Sequence, residues 1–241
     1  MIGTTVQTNS LNKRSAESGN VIFFILLGIL LLGLLTAALR SSGIESTSID
    51  SETMTISVTR MKDQANALER GVAFIIQNGA SDNEMRFSHP DADSDYGDIN
   101  NSPRFQVFSR EGGGVEYLAP PPGINDGTPW HFYGHTDAPQ VGSNAADLIV
   151  VLPNITAQAC GIINKQINQT GTMTDDGGNA LSGGCVYGAP AMRFASSGQY
   201  SAPADNTMKE DDASFSSKPA TSGCVTCADG SRHYFRVLLA R

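Results

Sequence analysis

Three short segments of this chain collect side chains capable of chemistry. Asp91, Asp93, Asp95 and Asp98 crowd around Gly97. A calcium ion takes about six to eight oxygen ligands, and carboxylates at alternate positions of one turn supply several at once. Possible calcium binding there competes with a plain solvated acidic loop, because the EF-hand register is not met: the glycine falls one place late and Ser102 stands where the bidentate glutamate belongs. His131 and His135 have the spacing that converges on a metal if helical. Pro129, Trp130 and Gly134 predict a strand and turn instead, which holds the two about 13 Å apart. Cys224-Val-Thr-Cys227, with His233 close behind, reads as a structural disulfide, half a zinc site or a redox dithiol.

Cysteine usage favours the first of those three. There is no second CxxC, no aromatic residue beside the pair and no βαβ pattern around it, while Cys160, Cys185, Cys224 and Cys227 all fall in a loop-rich half poor in core residues. Disulfides suit such a region in an oxidising compartment. Three pairings exist; Cys160 with Cys185 and Cys224 with Cys227 close the shortest loops and are the expectation. No P-loop, dinucleotide fingerprint, GxSxG or HExxH occurs. The many Ser and Asp residues form no recognisable nucleophile arrangement, so the expectation is a protein that is not an enzyme and has no cofactor beyond the calcium candidate.

The elements that must position these residues begin with an uncharged run at residues 20–39, NVIFFILLGILLLGLLTAAL, preceded by Lys13 and Arg14 and followed by Arg40. At about 1.5 Å per helical residue it matches a hydrocarbon core of about 30 Å and exceeds a secretory signal core of about 7–15 residues. That length predicts a transmembrane helix, and the basic leader predicts its orientation: N-terminus cytoplasmic, C-terminal domain periplasmic or extracellular. The formal net charge of −8 argues against nucleic acid as a partner. Gly28 and Gly33, five apart, fall on different faces of the helix and form no GxxxG seam.

Beyond a Ser41-Ser42-Gly43 break, Met54, Val58, Met61, Ala65, Leu68, Val72 and Ile75 alternate spacings of four and three, one apolar stripe on a helix that Asn78-Gly79 should stop. The stripe serves either packing on the helix's own domain or a coiled-coil seam, and three heptads favour the former. Short strands follow. Residues 104–108 and 115–118 predict a hairpin through Gly112-Gly113-Gly114, residues 130–133 a third strand, and DLIVVL (residues 147–152) a central one. Ile155, Ala159, Ile162, Ile163 and Ile167 mark a helix with Cys160 beside its apolar face; residues 170–184 and 196–223 predict loops, and residues 233–240 a closing strand. The expected fold is therefore α+β: a basic leader (1–19), a transmembrane helix (20–39), a Ser/Thr-rich segment with an amphipathic helix (40–79), and an exported, mostly antiparallel sheet domain with a disulfide-bearing helix (80–241).

A short basic leader ending at Gly19, an uncharged helix starting at once, an amphipathic helix and a strand-rich cysteine-bearing domain together resemble type IV pilins and the pseudopilins of type II secretion. LPNITAQACGIIN is similar to the helix after a central strand in type IVb pilins, and the GNVIFFILLG start and HYFRVLLAR end resemble a group of uncharacterised bacterial pilin-like proteins. The resemblance implies a structural subunit of a bacterial envelope filament or secretion assembly in the inner membrane. Its implied partners are the membrane, other pilin-like subunits or secretion proteins, and a prepilin peptidase cutting between Gly19 and Asn20. One departure is plain: Phe24 stands at the fifth mature position, where most members carry a glutamate that pairs with a neighbour's terminal amine. That departure fits a minor or tip subunit, or else an unprocessed single-span anchor whose outer domain binds a ligand or protein partner.

Overall fold

The structure is a computed structural model that describes residues 3, 18–41, 44–175, 185–194, 200–201, 204, 206–208 and 214–241. The basic leader with Lys13 and Arg14, and parts of the two expected loops, lie outside the described residues. The chain divides into two compact units, Met1–Asp50 and Ser51–Arg241, a boundary inside the expected 40–79 segment.

In the first unit, α1 runs Ser18–Ser41. No helix among the described residues is long and apolar enough to cross a membrane. This corrects both the expected transmembrane helix of the fold and the inner-membrane, single-pass location that followed from it. The helix is nonetheless apolar on every side, and its one described hydroxyl, Thr36, donates back to the carbonyls of Leu32 and Gly33.

The helix α2, Ile44–Gln77, carries the predicted stripe. Val58, Met61, Ala65, Leu68, Val72 and Ile75 are all buried within the second unit's own core, so the stripe serves packing there rather than an exposed seam. Its end is a Schellman turn: Gly79 takes φ 88°, its N–H reaches Ile76 O at 3.0 Å and that of Ala80 reaches Ile75 O at 3.3 Å.

Six strands form one sheet in the order β3-β5-β6-β2-β1-β4: β1 His131–Asp137, β2 Asp147–Leu152, β3 Thr174–Asp175, β4 Asn206–Thr207, β5 Ser222–Cys227 and β6 Arg232–Leu239. The four longer strands are antiparallel, and two short edge strands join in parallel. DLIVVL is central and wholly buried because both faces are covered. Leu148, Val150 and Leu152 face α2 and α3 (Ala157–Gln166), while Ile149 and Val151 face a second core built from Met173, Val186, Met208, Phe215 and Ala220.

Two expectations yield to backbone geometry. The hairpin of residues 104–118 does not form; Pro103–Phe105 is a single 3-10 turn, and the chain folds back so that Gly113 N–H reaches Gln106 O at 3.0 Å and Val115 N–H reaches Val107 O at 3.1 Å. The Gln106 carboxamide is committed to Ser88, Asp98 and Asn101, which bends this segment into a loop anchor. The cysteines also pair differently, Cys160 with Cys224 and Cys185 with Cys227, at Cα separations of 5.3 and 5.9 Å. Cys224 and Cys227 sit three apart on β5, and a strand sends such side chains to opposite faces. Cys224 therefore enters the helix-side core and Cys227 the other. Strand geometry overrides loop length.

Non-reducing peptide mapping should recover linked peptides joining 160 to 224 and 185 to 227, and none joining 224 to 227. Because the first bridge closes a separation of 64 residues, Cys160→Ser should cost about 2–5 kcal/mol in urea denaturation. Leu68→Ala should cost about 2–5 kcal/mol in the same assay, whereas Ile56→Ala, on the exposed side of α2, should stay within about 0.5 kcal/mol.

Candidate functional site

The acidic loop is a clamp on one arginine. Arg193 Nη1 lies 2.7 Å from Asp93 and 2.8 Å from Asp95, and its side chain is only 11% exposed. His131 Nε2 meets the same Asp93 oxygen at 2.6 Å. Asp98 instead accepts from the backbone and side chain of Asn100, and Asp91 faces His89 at 3.6 Å. Two of the four calcium candidates are thus already neutralised by a guanidinium, the occupant a divalent cation would have to displace. Arg193 escaped the sequence reading, although it is the sole Lys or Arg among residues 166–208, a signal for a buried counter-charge.

His131 and His135 lie on one face of β1 with Tyr133 between them: the Tyr133 ring is 6.2 Å from His131 and 5.0 Å from His135, edge-on to both. The strand places an aromatic ring where a shared metal would sit. Tyr133 donates to Gly188 O at 2.9 Å, and burial pushes its phenol well above the ordinary range.

Cys185, Cys227 and His233 bring their ligand atoms within 4.8 Å of one another, the one such cluster among the described residues. Both sulfurs are spent in the disulfide. The imidazole is also engaged on both sides: Asn154 N–H donates to Nδ1 at 3.3 Å, which assigns the proton to Nε2, 2.6 Å from Ser231 Oγ. Ser231 Oγ in turn donates to Asp229 at 2.5 Å. Nε2, being protonated, cannot accept the Ser231 proton, which goes to Asp229, a carboxylate held below its ordinary range by the Ser231 hydrogen bonds and so a weak base; the three residues form a hydrogen-bonded chain. Tyr187 stacks between His131 and His233, with centroid separations of 5.5 and 4.9 Å.

Two buried groups carry opposite electrostatic loads. Burial lowers His233 to about 4, against the attraction of Asp229 and Asp126. Burial raises Asp147 to about 6, although its oxygens accept from Arg241 N–H at 2.9 Å and Ala138 N–H at 3.1 Å. The sequence gives no hint of this second group, because an acid opening an apolar strand reads as its solvent end.

A groove of about 880 Å³ lies between α2 and residues 113–122 of the second unit. Two of its lining residues are joined by a hydrogen bond, Gln64 donating to Glu116 O at 2.9 Å. Phe74 and Leu118 stand about half exposed on its edges.

Comparison with known protein families, curated proteins and solved structures gives no match to this chain.

The two shifted groups predict a compensation. His233 is neutral in the folded chain down to about pH 4 while its unfolded form takes a proton near pH 6.5, so its linkage lowers stability as pH falls across that window. Asp147 stays protonated in the folded chain up to about pH 6 while its unfolded form ionises near pH 3.8, so its linkage lowers stability as pH rises. Between pH 4 and 6 the two oppose. Relative to wild type, Asp147→Asn should lose about 2 kcal/mol on going from pH 6 to 4, and His233→Asn should gain about as much, read by urea denaturation across that range.

Proposed function

We infer that this chain is a pilin-like structural subunit that associates with further subunits through α1. One observation carries the reading: thirteen large apolar side chains between Val21 and Leu35 are 42–63% exposed. A helix apolar on every side is stable only when surrounded by other apolar surface, and an exposed patch of this kind marks an interaction site. The glycines agree, since a Cβ built at Gly28 or Gly33 meets nothing, leaving both flanks of the helix open to close approach. The order of elements that resembles pilins supports the same reading, and so do two disulfides, which suit an oxidising compartment. The polar clusters of the second unit have the character of structural anchors, as where Arg193 Nη1 meets Asp93 and Asp95 and Asn164 meets the backbone of Cys224. Phe24, 62% exposed and set edge-on to Phe23 at 6.0 Å, adds to the apolar surface where most pilins place an acid.

The test mixes two differently tagged full-length chains and measures co-purification and sedimentation. Wild type should form mixed assemblies. Leu30→Glu, which puts a charge at the middle of α1, should reduce them at least tenfold while urea unfolding of the second unit stays unchanged. A wild-type chain that sediments as a monomer, or a Leu30→Glu chain that assembles as well as wild type, defeats the reading.

A further inference from the structure

A groove of about 530 Å³ lies between α3, with the segment that follows it, and the β5–β6 hairpin. Its frame is fixed. The Cys160–Cys224 bridge joins α3 to β5, and the Asn164 carboxamide holds the Cys224 backbone at 2.8 and 2.9 Å. The Gln169 carboxamide holds the next segment, accepting from Ser216 N–H at 3.0 Å and donating to Ser214 O, while Thr170 N–H donates to Ser216 Oγ at 2.8 Å. Other groups of the lining are uncommitted: the side chains of Asn168, Thr170, Thr172 and Thr226 make no hydrogen bond among the described residues. Polar groups on a fixed frame, yet left open, suit a polar ligand, since little of the frame has to be ordered on binding.

Charge narrows the class of ligand. The lining holds two cations, Lys165 and Arg232, and no carboxylate, in a chain whose formal net charge is −8. Among the described residues neither cation has an ion-pair partner, whereas Arg193, Arg236 and Arg241 each meet a carboxylate. Asp229, on the turn of the same hairpin, is committed to Ser231. Lys165 lies in the last turn of α3, where a positive charge suits the helix dipole; Arg232 has no such reason, standing on β6 opposite Thr226 of β5. Apart from Ala157, Gly161, Gly171 and the bridged Cys160, every lining side chain is polar, so the groove offers little to an apolar ligand. We propose that it binds a short uronic-acid oligosaccharide, with carboxylates at Arg232 and Lys165 and hydroxyls at the open amide and hydroxyl groups. A guanidinium meets a carboxylate through two parallel hydrogen bonds. The α3 wall from Ala157 to Lys165 is about 12 Å long, more than one sugar ring covers. The oligosaccharide is short because the net charge of the chain opposes long polyanions. The site needs no second copy and stands apart from the assembly reading.

The test is calorimetric titration of the full-length chain with tri-galacturonate at low salt. Binding should appear with a Kd of about 1 mM or tighter and weaken as salt is raised. Arg232→Gln and Lys165→Gln should each weaken it at least tenfold, with the thermal unfolding midpoint unchanged for at least one of them. Arg232→Lys, which keeps the charge but loses the planar fork, should fall between wild type and Arg232→Gln. Arg110→Gln, at an exposed position outside the groove, should bind like wild type. The uncharged galactose trimer should bind at least tenfold more weakly than tri-galacturonate. Absence of binding, equal binding of the uncharged trimer, or wild-type binding by both glutamine variants overturns the proposal. Tighter binding of a single-stranded oligonucleotide also overturns it, by making the groove a nucleic-acid site. Inorganic phosphate bound as tightly as tri-galacturonate does the same, because it leaves only a simple oxyanion site. None of these outcomes bears on co-purification of tagged copies, so the assembly reading stands or falls separately.

Discussion

The second unit depends on covering both faces of β2. A strand of six consecutive buried residues exposes no edge of polarity to water, so its stability requires apolar partners above and below. On one face this is simple: the α2 stripe and the inner residues of α3 supply a regular layer, and Arg236 on β6 reaches back to Glu69 on α2 at 2.8 Å. On the other face there is no helix among the described residues. Loop side chains such as Met173, Val186, Met208 and Phe215 do the covering, and loops alone lose much conformational entropy on being fixed.

The remaining contacts make sense as solutions to that second problem. Cys185–Cys227 ties the covering segment to β5, Tyr187 inserts between two histidines, and Arg193 links the segment to the acidic loop near β1. Asp175 accepts from Val186 N–H at 2.8 Å and from Asn206 at 3.0 Å, joining both edge strands through one buried carboxylate. On the helix side, Asn164 makes both bonds to the backbone of Cys224, 2.8 and 2.9 Å, next to the Cys160–Cys224 bridge. Polar groups buried this way are costly unless paired, and here the pairing positions irregular chain that propensity alone would leave loose.

This division explains what could be read from the residues. Periodic elements were legible: the α2 stripe, its Asn78-Gly79 stop, DLIVVL as a central strand and the helix carrying Cys160 all follow from local pattern. Contacts between distant, aperiodic segments were not. Nothing near Gln106 announces that its carboxamide will hold three loop segments, and nothing near Cys224 shows that β5 turns it away from Cys227 until the segment is known to be a strand. The acidic loop was visible as a cluster but not as a counter-charge, because Arg193 lies about a hundred residues further on. The span expectation rested on composition over residues 20–39, and no helix among the described residues is long and apolar enough to cross a membrane.

The two helices therefore present the same physical question with different answers. The buried stripe of α2 finds its cover within the second unit, and the hydrophobic gain of each residue there is already realised in the folded chain. The residues of α1 realise none of that gain while they remain more than two-fifths exposed, so whatever covers them acquires the full driving force. A cover that is itself helical, uncharged along its seam and of similar length loses least polar solvation in the exchange. Glycine in the middle of a helix costs it about 0.5–1 kcal/mol relative to alanine. Gly71 has one local reason, since a side chain there would strike Val115.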